Sequence, residues 1–385
     1  MIRLEDACEF IVDCPHSTAA DEGVGYPLVR TPNIGKGRLL LEGVHRVSKD
    51  VYDRRNQRAI PQDDDLIFAR EAPAGNVAII KNGEKVCLGQ RTVLLRPNKN
   101  LVNPDFLVYF LLAPKQQYGL LGTANGATVA HVNIPTIREL KIELPPLEVQ
   151  NRIAEIIVSY DDLIENNQKQ IKLLEEAAQR LYKEWFVDLR FPGHETTPIV
   201  DGVPEGWKQE RLVDMVSVQY GYAFDGSLFN SIGKGKPIVR IRNIPSGNTE
   251  DYTIEEAASQ YVVHNGDILV GMDGEFHINS WSGPDAYLVQ RTCSFRPKNP
   301  QMKGFLLQAI YEPIKYFEST VVGATVAHLG KKHIDTITLL TGPNELYIPF
   351  QQFFDRRQLL LNQNRVLTEA RDRLLPKLMS GEIEA

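Results

Sequence analysis

Gly126-Ala127-Thr128-Val129-Ala130-His131 is written a second time in this chain, as Gly323-Ala324-Thr325-Val326-Ala327-His328. Six identical residues in register are improbable by chance, and an internal repeat constrains the fold before any helix or strand is placed. The same order of landmarks recurs on either side. Arg3-Leu4 with Asp6 returns as Arg211-Leu212 with Asp214. Pro27, Val29-Arg30 and Asn33-Ile34 return as Pro237, Val239-Arg240 and Asn243-Ile244. Gln90-Arg91-Thr92 with Arg96-Pro97 returns as Gln290-Arg291-Thr292 with Arg296-Pro297. The offset moves from 208 to 210 and then down to 197, as it does when one ancestral domain is duplicated and each copy gains and loses loop residues separately. At 385 residues the chain is also too long for one ordinary core, and two homologous domains are expected.

Each copy ends in a long helical stretch. In the first, Ile153, Ile157, Tyr160, Ile164, Asn167, Ile171, Leu174, Ala178, Leu181 and Trp185 alternate spacings of four and three, which is a heptad seam. At an offset of 193 the second reads Phe350, Phe353, Arg357, Leu360, Asn364, Leu367, Arg371, Leu374 and Leu378, with more polar positions. Pro145-Pro146 precedes the first helix and Phe191-Pro192-Gly193 ends it. Two such helices in one chain most simply bury their seams against each other as an antiparallel two-helix coiled coil, with Asn167 and Asn364 fixing register. Packing of each helix on its own domain, or dimerisation through it, are the other ways to bury a seam.

The globular parts read as α+β. Val77-Ala78-Ile79-Ile80, Thr92-Val93-Leu94-Leu95 and Asp267-Ile268-Leu269-Val270 are β-branched runs bounded by Gly, Asn or Pro, and predict strands. Asp105-Phe106-Leu107-Val108-Tyr109-Phe110-Leu111-Leu112 and Gly304-Phe305-Leu306-Leu307-Gln308-Ala309-Ile310 predict one buried helix per domain. The expected division is 1–146 first domain, 147–190 first spacer helix, 191–203 linker, 204–344 second domain and 345–385 second spacer helix.

Charge and missing motifs narrow the chemistry. The net charge is −6, yet residues 26–99 carry 14 Lys+Arg against 8 Asp+Glu, a local surplus of six. Four scattered cysteines, Cys8, Cys14, Cys87 and Cys293, form no CxxC pair and read as reduced thiols. No stretch approaches the roughly 20 apolar residues of a membrane span, and MIRLEDACEF is no secretory leader, so the expected location is cytoplasmic. No phosphate loop is present: Gly35-Lys36-Gly37 and Gly233-Lys234-Gly235-Lys236 lack its spacing. The eight histidines show no metal spacing, and Asn103-Pro104-Asp105-Phe106 is not an amino-methyltransferase tetrapeptide. No catalytic residue and no metal ligand is assigned.

The succession domain, helix, homologous domain, helix resembles the specificity subunits of Type I restriction-modification systems over essentially the whole chain. Leu144-Pro145-Pro146-Leu147 with Gln150, Ile153 and Ile156 is similar to the family's entry into its first spacer helix, and Trp185-Phe186-Val187-Asp188 to that helix's exit. Gly206-Trp207 with Leu212 and Asp214 resembles the opening of the second recognition domain, and Leu374-Leu375-Pro376-Lys377-Leu378-Met379-Ser380-Gly381 the family's C-terminal end. Two departures stand out: Gly342-Pro343-Asn344-Glu345-Leu346 replaces the second Pro-Pro-Leu entry, and the first domain opens at Ile2-Arg3-Leu4 without a tryptophan. The resemblance implies a non-catalytic subunit that reads a bipartite DNA target with two recognition domains at opposite ends of the helix pair. It implies two modification subunits binding S-adenosylmethionine and two restriction subunits using ATP and Mg, with no cofactor in this chain. A Type IIB or other multisubunit defence system, or a protein-interaction scaffold that binds no DNA, are the alternatives.

Base edges are read by Arg, Lys, Asn and Gln, and phosphates by further cations. The first domain offers Arg30, Asn33, Lys36, Arg38, Arg54, Arg55, Arg58, Arg70 and Arg91; the second offers Lys234, Lys236, Arg240, Arg242, Asn243 and Arg291. The repeated pairs Arg30/Asn33 and Arg240/Asn243 are either base-facing or structural, and Gln90-Arg91 and Gln290-Arg291 lean structural. Residues common to both copies cannot by themselves specify two different half-sites. Thr128 and Thr325 point to domain-to-helix packing, and specifying residues are expected where the copies differ, as in 38–70 against 247–274. If the helices act as a ruler, inserting one heptad in both should lengthen the gap between half-sites by about 10 Å, roughly three base pairs. Methylation mapping before and after the insertion reads this directly, and an unchanged gap refutes it.

Overall fold

The computed structural model describes residues 1–122, 131–320 and 327–384. The chain forms two compact units, Met1–Asp162 with Thr368–Ala385, and Leu163–Leu367. Four helices organise them: α1 (Pro104–Leu112), α2 (Leu147–Tyr182), α3 (Lys303–Ala309) and α4 (Ile348–Ser380). Residues 147–162 of α2 and 368–380 of α4 belong to the first unit, and 163–182 and 348–367 to the second.

The first unit is built on a sheet in which Cys8–Asp13, Thr92–Pro97, Leu66–Ala69 and Val77–Ile79 run antiparallel in that order, with Gly37–Arg38 added parallel to the last. The period-two geometry of a strand sends alternate side chains to opposite faces. Leu66, Phe68, Val77, Ile79, Val93 and Leu95 face one core with α1, while Ile67, Ala69, Ala78, Ile80 and Leu94 face a second. Burial on both faces explains why these strands read as continuous apolar runs rather than as an alternation. Helix α1 starts where it does because the Asn103 side chain accepts a hydrogen bond from the Phe106 amide (3.0 Å) and Pro104 occupies the first turn.

The second unit repeats the plan. Val216–Tyr220, Thr292–Pro297, Ile268–Gly271 and Ile278–Ser280 form the corresponding antiparallel order. In both copies a short parallel pairing follows the same landmarks, Leu28 with Cys87 and Ile238 with Tyr287. Two glycines hold equivalent tight corners at left-handed φ, 99° at Gly25 and 90° at Gly235. A Cβ there would fall 2.3 Å from the Val47 carbonyl oxygen and 2.1 Å from that of Thr253.

The helix pair is antiparallel within each unit and is part of each core. In the first unit Ile153, Ala154, Ile157 and Leu378 join the cluster formed by α1 and the sheet. Buried Asp161 accepts a hydrogen bond from Arg371 (2.5 Å) and one from Tyr109 of α1. Burial, and then the Asp161 carboxylate, push the Tyr109 hydroxyl far up from its ordinary pKa, so it stays protonated and donates. In the second unit Asn167 donates to Asn364 (2.9 Å), Asn364 to the Ile164 carbonyl (3.4 Å), and Arg357 to Glu175 (2.6 Å). Ile171, Ala178 and Leu360 are buried along the same seam, with Ile164, Leu174, Leu181 and Leu367 half-buried; Leu374, also half-buried, belongs to the first unit. At the exit of α2 the seam shifts by one residue: a π-turn over Lys183–Val187 buries Phe186 and leaves Trp185 half-buried. A matching shift buries Phe354 rather than Phe353.

Asp161→Ala leaves the buried Tyr109 hydroxyl without its acceptor and the half-buried Arg371 with Asp372 alone. The expected cost is about 1–3 kcal/mol of stability, read as a lower urea midpoint at unchanged slope; a loss under about 0.5 kcal/mol would mean the contact carries no weight.

Candidate nucleic-acid interface

Where the structure describes the repeated strings, most of their polar side chains are engaged within their own domain. Asn33 is buried, with its carboxamide oxygen accepting from the Arg30 amide (3.1 Å) and its nitrogen donating to the Leu40 carbonyl (3.3 Å). Asn243 caps the Arg240 amide in the same way (2.9 Å). Arg96 and Arg296 each pair with a buried aspartate, Asp65 at 2.7 Å and Asp267 at 2.8 Å. Arg91 and Arg291 both sit at left-handed φ, 65° and 69°, and pair with Glu71 and with Asp273 (3.2 Å). Those acids also bind His131 and His328, at 2.5 Å each. Residues 126–130 and 323–326 of the repeated hexapeptide, with Thr128 and Thr325, lie outside the described residues.

The remaining candidates separate by what their charged heads already touch. Arg55 is only 8% exposed and gives its guanidinium to the carbonyls of Leu88 (2.7 Å) and Ser17 (3.0 Å). Arg70 is shared among the Val132 carbonyl (3.0 Å), His131 (2.9 Å) and Asp13 (3.4 Å). Arg38 pairs with Asp162 (3.0 Å) and Arg242 with Asp251 (2.5 Å). Arg30 is half-buried, its Nε without a hydrogen-bond partner. Arg54 and Arg58 are exposed, each touching a single backbone carbonyl, of Asp50 (3.3 Å) and Asp13 (3.2 Å). Lys36 and Lys234 are exposed, and neither side chain has an ion pair among the described residues.

Two groups would not be found from spacing. Lys236 lies over the Tyr287 ring (4.7 Å) and Arg240 over Phe229 (5.6 Å), beside an aromatic cluster of Tyr222, Phe224, Tyr261 and Tyr287. Cation–π contact holds these heads in place without neutralising them. Beside Arg242, a polar cleft of about 450 Å³ is lined by Asn243, Asn248, Thr249 and Asp251. In the first domain, Lys49–Arg55 is a short helix whose Tyr52 stacks on Tyr26 (4.3 Å), and Arg46 donates to the Gly25 carbonyl (2.8 Å). Both elements lie within the basic segment.

The chemistry on offer is hydrogen bonding and charge. All four cysteines are free and buried, and burial pushes the Cys8 thiol up to about 12 and that of Cys87 to about 11. Among the described residues no group of three His, Cys, Asp or Glu is placed to hold a metal, and no helix is long and apolar enough to cross a membrane.

A family model described as the Type I restriction modification DNA specificity domain matches residues 1–176 and 204–344. The chain is 26% identical over 368 residues to the Type I restriction enzyme MjaIX specificity subunit of Methanocaldococcus jannaschii, covering 89% of this chain and 83% of that one. It is 22% identical over 396 residues to the HindI specificity subunit of Haemophilus influenzae, covering 83% and 86%. The fold is similar to the crystal structure of a Type I restriction-modification S subunit from M. genitalium, with a TM-score of 0.52, 16% identity, and coverage of 98% and 95%.

Internal and exposed cations should respond very unequally to truncation. Arg55→Ala should lower stability by about 2–3 kcal/mol, because carbonyls buried around it lose a charged donor. Lys36→Ala should stay within about 0.5 kcal/mol of the parent in the same denaturant titration; equal effects would refute the distinction.

Proposed function

Because the chain belongs to the Type I restriction-modification DNA specificity family, we propose that it reads a bipartite duplex target, one half-site per recognition domain, while doing no chemistry itself. The observation that carries this is the coincidence of two family matches with two copies of one sheet order. Related modules held by one helix pair can each present a different loop set to a different half-site, as paired DNA-binding heads do. DNA and the modification and restriction subunits of a Type I system are its partners. Two copies of each subunit, S-adenosylmethionine on the first and ATP with Mg on the second, complete the proposed complex in the cytoplasm.

Contact is assigned first to the exposed, lightly engaged Lys36, Arg54 and Arg58 in one domain and Lys234 in the other, and to the half-buried Lys236 and Arg240, whose heads rest on aromatic rings without an ion pair. Arg242 with its cleft and the half-buried Arg30 come next. The guanidiniums of Arg55, Arg70, Arg91 and Arg291, the ion-paired Arg38, and the capping Asn33 and Asn243 belong to the frame that aims them. The exposed positions lie mainly where the copies differ, which is what two unlike half-sites require.

Filter binding across a salt series, on the full chain assembled with its modification subunits, tests both levels. Affinity should fall steeply with salt, and Lys36→Ala or Lys234→Ala should each flatten the log–log slope by about 0.9 without changing which sequence is preferred. A flat dependence would favour the protein scaffold. Unchanged slopes in both variants would remove these lysines from the interface.

A further inference from the structure

The two domains share a frame around one loop and differ inside it. On one side stand the repeated Asn33-Ile34 and Asn243-Ile244, on the other the strand pairs Pro27 with Arg46 and Pro237 with Tyr252. Between them the first domain runs through residues 35–45 and the second through the shorter 245–251. Both loops turn on a glycine at the same offset and at left-handed φ, 96° at Gly37 and 64° at Gly247. The residue that follows is Arg38 in one copy and Asn248 in the other. Arg38 pairs with Asp162 (3.0 Å), whereas Asn248 is exposed and its carboxamide makes no hydrogen bond among the described residues.

The turn beneath Asn248 is held firmly. The Gly247 amide donates to the Ile244 carbonyl (3.0 Å), and the Gly247 carbonyl accepts from the Ser282 amide (2.9 Å) and hydroxyl (3.0 Å). Asn279 donates to the carbonyls of Ile244 (3.1 Å) and Pro245 (2.9 Å) and accepts from Arg357 (2.8 Å), which fastens the turn to α4. The Asn248 oxygen lies over Gly283, where a Cβ would come within 3.0 Å of it. Beside it opens the polar cleft described above, which Ser231 also lines, in the turn that carries Lys234. Arg242, at the same cleft, already gives its Nε (3.1 Å) and Nη2 (2.5 Å) to Asp251.

We propose that Asn248 reads an adenine in the half-site of the second domain. The inference rests on the specificity reading above and adds to it a residue and a base. A carboxamide presents an acceptor and a donor side by side, which matches N6 and N7 of adenine in the major groove, whereas guanine calls for a cation. The cation nearest this cleft is matched by Asp251, so the carboxamide is the group left to discriminate. A turn fixed in advance loses little freedom when its tip meets a base. Exchanging the residue after a shared glycine gives two homologous domains different bases to read while the frame stays the same.

The test is to produce the full chain with its modification subunits in cells free of that methylation, and to map genomic methylation for the parent and for Asn248→Ala. The variant should keep one half of the parent's bipartite motif unchanged and become degenerate at a single A·T pair of the other. Should it methylate too few sites to define a motif, filter binding of the same complex to duplexes carrying each single base-pair change decides. A penalty of about tenfold or more at that pair in the parent should then fall to within about twofold. An unchanged motif, unchanged penalties, relaxation in both halves, or relaxation at a G·C pair would overturn the assignment of Asn248. A parent complex with no bipartite preference would overturn the specificity reading, and this inference with it.

Discussion

Each recognition sheet buries both of its faces, and that requirement shapes the rest of the molecule. One face is covered by short strands and loops of the same domain. The other needs a helix of the domain and, beyond it, residues contributed by the two long helices. Ile153, Ala154, Ile157 and Leu378 in one unit, and Phe186 and Phe350 in the other, are core residues of the modules as much as seam residues of the helix pair. Within each unit the helix ends cannot be removed without exposing the sheet they cover.

The polar residues on the seam set how the helices pair. A buried hydrogen bond or ion pair contributes little net stability, yet a partner left alone is costly. Asn167 with Asn364, and Asp161 with Arg371 and Tyr109, penalise slipped registers more than they strengthen the native one. Each unit carries its own such set.

The architecture was legible because its signals are periodic or repeated: identical strings announce duplication, and a four-three spacing announces a seam. The chain also offered two ways to bury that seam, on the other helix or on the domain, and the structure uses both. What stayed hidden was the direction in which charged side chains point. A count of arginines cannot separate Arg55, folded inward onto carbonyls, from Arg54, exposed one residue earlier on the same helix turn. The one-residue shift at Lys183–Val187 was equally invisible, because a π-turn depends on packing and not on composition. Strands of two residues, such as Gly37–Arg38, carry no periodicity to detect.

The first unit is discontinuous in sequence, since Leu163–Leu367 is set between its two parts. Its core includes Leu378, with Leu374, Leu375 and Met379 packed against it. On the ribosome, residues 1–162 therefore emerge with one wall of their core missing, and wait while more than two hundred further residues are made. The thermodynamic cost of closing so long a loop grows only slowly with its length, so the finished protein is little affected. The burden is on the order of events: the inserted unit can complete itself first, and the earlier-made one is sealed afterwards by residues 368–384.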